Sequence, residues 1–232
     1  MLDARAVFDQ MKHHDVVSWT SLLLGYAETG ESKMVLELFK AFECTGLEAT
    51  LPTFAAVLMA CGTLVDLETG RKIHAGICKR GLESSSVTNS VIDFYGKCGS
   101  IAVAQHIFDS AVISRDVVLW NTLIASYSHQ GDAAKVVEIF GNVLEEGVRP
   151  DGFTFLSVIA ACSAAGWIEQ GRKFFQEMWR YGVAPGLRHY SSMVDLFGRA
   201  SSLEEAVAVE RAMPFKHDQV ARTTLLAASL RD

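Results

Sequence analysis

Between residues 117 and 151 the apolar positions Val118, Trp120, Leu123, Ile124 and Tyr127 recur at the three-and-four spacing of one helix face. Gln130-Gly131-Asp132 then interrupts the pattern, with glycine suited to a left-handed helix exit and aspartate to capping the next helix. A second stripe follows at Val136, Val137, Ile139, Phe140, Val143 and Leu144, and Gly147 and Pro150 end it. The same punctuation recurs at Gly30, Gly99 and Gly166 between stripes, and at Gly46, Gly81 and Gly182 after the second stripe. No alternating strand pattern competes, so the spacing predicts an all-α chain of helix-turn-helix units.

The pattern also repeats at long range. VVSWTSLLLGYAETG, TFAAVLMACG and ETGRKIH return as VVLWNTLIASYSHQG, TFLSVIAACS and EQGRKFF. Trp19 and Trp120, Phe54 and Phe155, Cys61 and Cys162, and Gly70 and Gly171 are each 101 residues apart. One offset held across so many positions marks stacked units that present the same face to their neighbours. The chain divides into units 16–50, 51–84, 85–116, 117–151, 152–186 and 187–218, of 35, 34, 32, 35, 35 and 32 residues. Residues 1–15 read as the second helix of a preceding short unit, with Ala4 and Phe8 matching Ala104 and Phe108, and residues 219–232 as a partial element after the array. A single unit cannot bury both helix faces. Stacking buries them in a solenoid, of either hand on this argument, with a concave inner surface. Trp19 and Trp120 are then packing residues.

Composition narrows the picture. Half the residues are hydrophobic and 21% are charged, which excludes compositional disorder, and only four prolines interrupt the chain. The apolar runs are too short and too broken to span a bilayer. The five cysteines form no CxxC pair and read as reduced core thiols, with no metal expected. A net charge of −6 weighs against indiscriminate nucleic-acid binding but leaves room for local cations along a groove. The N-terminal MLDARAVFDQM carries neither a signal core nor an Arg/Ser-rich leader.

Several segments together make the chain recognisable: FYGKCGS, ACS followed by EQGRKFF, and YSSMVDLFGRA. The chain resembles the pentatricopeptide-repeat family over essentially its whole length, in particular the plant subclass that alternates standard, long and short units. The units 16–50 and 117–151 look like the standard type, 51–84 and 152–186 like the long type, and 85–116 and 187–218 like the short type. TTLLAASLRD resembles the first lines of the family's C-terminal extension. Departures are a missing residue near Ser84–Ser86, an extra one near Val112–Ser114, Ser201 in place of a usual glycine, and Arg222 in place of a usual tryptophan. The resemblance implies a right-handed α-solenoid that binds single-stranded RNA, with editing-complex proteins as further partners, no cofactor and no membrane partner. It also implies residence in a mitochondrion or chloroplast.

By the same resemblance, each unit reads one base with its fifth and last residues. The assigned pairs are Asn89 with Asp116 and Asn121 with Asp151 for uridine (cytidine tolerated), Ser191 with Asp218 for a purine, and Thr20 with Thr50 leaning toward a purine. Ala55 and Leu156 leave the long units mute. The implied footprint, 5′ to 3′, is purine, any, U, U/C, any, purine. Val17 and Val118 would sandwich the bases, with Val87 a lesser candidate, and Lys97 and Arg199 would meet phosphates, with His129 in phase between them. Arg71–Lys72 and Arg172–Lys173 read as surface. Local capping and packing account for each of these residues taken singly.

Catalytic signatures are missing: no GxxxxGK[ST], no GxGxxG after a strand, no HExxH, and no HxE with PCxxC for a zinc deaminase. His74 has no carboxylate or cysteine in phase and reads as packing or surface. The expectation is a non-enzymatic RNA-processing or C-to-U editing specificity factor. The competing class is a protein-interaction scaffold built on the same solenoid.

Overall fold

The computed structural model describes residues 2–82, 84–111 and 115–214. Among these, thirteen α-helices and no strand occur. They fall into two compact bodies, residues 1–114 and 115–232.

The N-terminal body holds α1 (Leu2–Gln10), α2 (Val16–Glu28), α3 (Ser32–Glu43), α4 (Leu51–Leu64), α5 (Leu67–Lys79), α6 (Ser85–Lys97) and α7 (Ile101–Ser110). Helices α2, α4 and α6 pack side by side in one row, while α3 lies against α2 and α4, α5 against α4 and α6, and α7 against α6. The C-terminal body repeats the scheme with α8 (Val117–His129), α9 (Ala133–Glu145), α10 (Gly152–Ala165), α11 (Ile168–Arg180), α12 (Leu187–Arg199) and α13 (Leu203–Ala212). Here α8, α10 and α12 form the row.

The helix ends follow from local chemistry. Asp15, Asp116 and Asp151 cap α2, α8 and α10 by accepting the backbone N–H three residues on, and Ser84 does the same for α6. Because Ser84 is a regular cap, α6 opens normally despite the residue missing from the sequence pattern. The extra residue near Val112–Ser114 lies outside the described residues. Between paired helices the chain turns through a left-handed residue, Gly30, Gly99, Gly131 or Gly166. Val65 takes that conformation after α4 at φ 55°, and Ser201 at φ 54° after α12.

The core lies between the helices of each row and their outer partners. Trp19 and Trp120 are buried, as the repeat requires. Phe8 of α1 is buried edge-on against Trp19, with ring centroids 4.8 Å apart. Two close approaches fix the α5–α6 and α11–α12 spacing. A Cβ at Gly70 would lie 2.1 Å from Phe94 Cζ, and one at Gly171 2.5 Å from Leu196 Cδ2. Arg172 departs from the surface reading. It donates to Glu205 on α13 at 2.7 Å and lies 5.2 Å over the Phe197 ring, so it ties α11 to α12 and α13. Arg71 and Lys72 are exposed as expected.

Candidate nucleic-acid interface

The helices of each row expose their second residues, and their fifth residues lie half-buried beside them except for Thr20 of α2, which is buried. In the C-terminal body Asn121, fifth residue of α8, is half-buried and reaches the start of α10. Its Nδ2 donates to Asp151 Oδ1 at 2.9 Å, and its Oδ1 accepts from Thr154 Oγ1 at 2.7 Å. Asp151 is the N-cap of α10, and its Oδ1 also accepts the Thr154 N–H at 2.9 Å. The carboxylate only accepts, so it dictates which end of the Asn121 amide faces it. A flipped amide would set oxygen against oxygen. Those two partners lie 3.0 Å apart, so they take the adjoining N–H and lone pair of the amide, and what remains on Asn121 is one N–H and one lone pair at its opposite ends.

The N-terminal body has a hydroxyl version. Thr20 Oγ1 lies 2.7 Å from Thr53 Oγ1, which is 2.9 Å from Thr50 Oγ1. Thr20 is 8% exposed and its hydroxyl is turned inward, so the group assigned to reading is engaged within the fold. Asn89 on α6 is half-buried, and its shielded Oδ1 has no hydrogen-bond partner among the described residues. Asp116 caps α8 through the Leu119 N–H at 2.9 Å. Asn89 and Asp116 belong to different bodies. Ser191 Oγ donates to Leu187 O at 3.1 Å, and its assigned partner Asp218 lies outside the described residues.

The second residues stand out from the surface. Val17 is 71% and Val118 53% exposed, whereas Val87 is buried at 2% and belongs to the core. The expectation for Val87 was therefore wrong: it is the third residue of α6, and Ser86 holds the outward place. Sequence reasoning passed over Phe153 and Arg188, the second residues of α10 and α12. Phe153 is 66% exposed, and the two line a groove of about 490 Å³ with Leu156, Leu187 and His189. The signal was available, because both occupy the place of Val118 in their helices. His189 holds this groove together. Its Nδ1 accepts the Gly186 N–H at 3.0 Å, which puts the ring proton on Nε2, and Nε2 donates to Gly152 O at 2.8 Å.

The two assigned cations are present but tied. Lys97 Nζ lies 2.7 Å from Asp93, and Arg199 Nε 2.8 Å from Asp195 Oδ2, which also accepts from Ser163 at 2.6 Å. His129 Nδ1 donates to Ala125 O at 2.7 Å and is exposed. His74 contacts the Tyr95 hydroxyl at 3.1 Å in an ordinary packing role. Among the described residues no cluster of His, Cys, Asp and Glu is arranged to hold a metal, and no helix is long and apolar enough to cross a membrane.

A family model described as the pentacotripeptide-repeat region of PRORP matches residues 86–227, and a pentatricopeptide repeat domain model matches residues 5–63. The chain belongs to the pentatricopeptide-repeat family. Among curated pentatricopeptide-repeat proteins of Arabidopsis thaliana it is 40% identical to CRR2, chloroplastic, over 90% of this chain and 32% of that protein. It is also 40% identical to the mitochondrial protein At4g19191, over 93% of this chain and 33% of that one. The chain thus spans about a third of the length of these relatives. A crystal structure of the pentatricopeptide repeat protein PPR10 in complex with an 18-nt psaJ RNA element superposes with a TM-score of 0.75 at 18% identity, covering 98% of this chain and 34% of that one. That likeness gives the fold: an all-α helical-repeat solenoid.

Proposed function

We propose that this pentatricopeptide-repeat chain binds single-stranded RNA along the rows of first helices, reading bases with the fifth residue of the standard and short units. The proposed units are 16–50, 51–84, 85–116, 117–151, 152–186 and 187–218, flanked by a partial repeat at 1–15 and the start of an extension at 219–232. They alternate the standard, long and short types. The observation that carries the reading is Asn121, half-buried and held by Asp151 and Thr154 with one N–H and one lone pair left on its amide. A pyrimidine edge can meet either of them. Uracil gives N3–H and a carbonyl oxygen; cytosine gives its amino group and N3. Val118 and Phe153, both exposed, supply the flanking apolar faces, and Phe153 with Arg188 extends stacking to the long unit whose fifth residue, Leu156, cannot read an edge.

Two curated relatives are named chloroplastic and mitochondrial, which supports an organellar setting. PPR10 is described in complex with RNA, which supports the ligand class. We assign the chain the role of an organellar specificity factor in RNA processing or C-to-U editing, with catalysis supplied by a partner.

The test is filter binding to short single-stranded RNAs in the frame purine, A, U, X, A, purine. Changing X from U to A, or changing Asn121→Ala with X as U, is expected to weaken binding about tenfold, the scale of one well-placed hydrogen-bonded pair. Equal affinity throughout the series sinks base reading at Asn121. A folded sample that binds none of these RNAs favours the scaffold reading.

A further inference from the structure

We infer that Thr154 is a third specificity-determining residue of the Asn121 site, acting by fixing the plane of the carboxamide so that it admits a pyrimidine and refuses a purine. The inference rests on the base-reading role proposed for Asn121.

One hydrogen bond holds one point of a planar amide and leaves the plane free to swing about it. Two hold the plane. Asp151 takes the Nδ2 end of Asn121 at 2.9 Å and Thr154 takes the Oδ1 end at 2.7 Å. Thr154 has a single hydroxyl proton, and its direction is set. Its oxygen accepts the Asp151 N–H at 3.0 Å, and Asp151 Oδ1 already accepts from both the Thr154 N–H and Asn121 Nδ2. The proton therefore goes to Asn121, the shorter of the two contacts. Thr154 is fully buried, so water does not compete for it.

A fixed plane matters because hydrogen-bond pattern alone does not separate the bases. Guanine offers the same donor-acceptor pair as uracil, and adenine the same pair as cytosine. Size separates them. A purine reaches further from the backbone, and admitting it requires the amide to swing away. Two-point anchoring prevents that movement. The N-terminal body supplies an internal comparison. Thr53 makes the same backbone bond to its cap residue Thr50, and its side-chain partner at the fifth position is the Thr20 hydroxyl rather than an amide. Thr53 thus carries the capping role without the amide-holding role.

The experiment compares Thr154→Val, Thr154→Ser and Thr53→Val in the full chain. It uses the same RNA frame with X as U, C, A or G, and thermal melting in parallel. Thr154→Val and Thr53→Val are expected to lower the melting temperature alike, since both lose a cap hydroxyl. Only Thr154→Val is expected to reduce the pyrimidine-over-purine affinity ratio at X, by about three- to tenfold. Thr154→Ser is expected to keep the wild-type ratio. Should Thr154→Val not fold, Thr154→Cys, with the shape of serine and a weak donor, takes its place against Thr154→Ser. An unchanged ratio in Thr154→Val or Thr154→Cys, with Asn121→Ala still altering it, overturns the inference and leaves Thr154 as a cap. A ratio unmoved by Asn121→Ala as well refutes the underlying reading instead.

Discussion

Cys61 and Cys162 sit on the same turn of α4 and α10, and both are fully buried. Burial, helped at Cys61 by Asp66 and Cys98, pushes the Cys61 thiol up to about 12, and burial pushes Cys162 up to about 11. Both stay protonated and inert at neutral pH, while Cys44 and Cys78 are exposed. Alkylation of the native protein followed by peptide mapping is expected to label Cys44 and Cys78 and to spare Cys61 and Cys162. The folded thiols hold their protons above the ordinary value of 9.0, at which an unfolded chain begins to release them. Stability is therefore expected to fall as pH rises from about 9 toward 12, and Cys61→Ala with Cys162→Ala to flatten that fall in denaturant titrations. At this scale the sequence was legible where one residue has one job, as with the buried tryptophans. It was opaque where a polar group had two possible partners. Thr20 matched a reading position, but only the fold reveals that Thr53 takes its hydroxyl. Val87 and Ser86 are neighbours, and periodicity alone did not say which of them faces out.

At the scale of the element, two glycines set helix spacing. The Cβ of Gly70→Ala would meet three atoms of the rigid Phe94 ring within 2.8 Å; the one clash of Gly171→Ala would be with a terminal methyl of Leu196 at 2.5 Å, which a small rotation can move. Gly70→Ala is expected to cost about 2–3 kcal/mol and Gly171→Ala about 1 kcal/mol or less, read from paired denaturant midpoints. Glycines as breaks between helices were legible because a left-handed exit needs them. Gly70 and Gly171 were visible only as repeated positions, since the bulk they avoid comes from another helix. The same reason hid the anchoring of Arg172, whose partner Glu205 is 33 residues away on α13. The phase of Phe153 and Arg188 with Val118 was legible, but the groove they line together was not, because it forms only when α10 and α12 pack.

For the molecule as a whole, charge governs how it meets a polyanion. The net charge is −6, and Lys97 and Arg199 each contact an aspartate four residues earlier. A phosphate has to compete with that carboxylate. With about two cations engaged, log affinity for RNA is expected to fall with log salt with a slope of roughly −1.4. Asp195→Asn releases Arg199 while still accepting from Ser163, and is expected to tighten RNA binding at low salt and steepen the slope. A titration in which Asp195→Asn and wild type coincide would show that Arg199 meets no phosphate. The helical-repeat class was legible from end to end because every unit repeats the same amphipathic pair. The pairing of its charges was not, because Asp93 and Lys97 carry no mark in the sequence that distinguishes an occupied cation from an available one.

The caps of the first helices carry one more consequence. Thr50, Ser84, Asp116, Asp151 and Gly186 each begin a helix, and each is also the last residue of a proposed unit. Any vocabulary written at that place must use letters that can start a helix, chiefly Asp, Asn, Ser, Thr and Gly. Folding thus acts as an editor of the proposed code: a substitution that extends the alphabet beyond those residues misspells the structure before it can change any message.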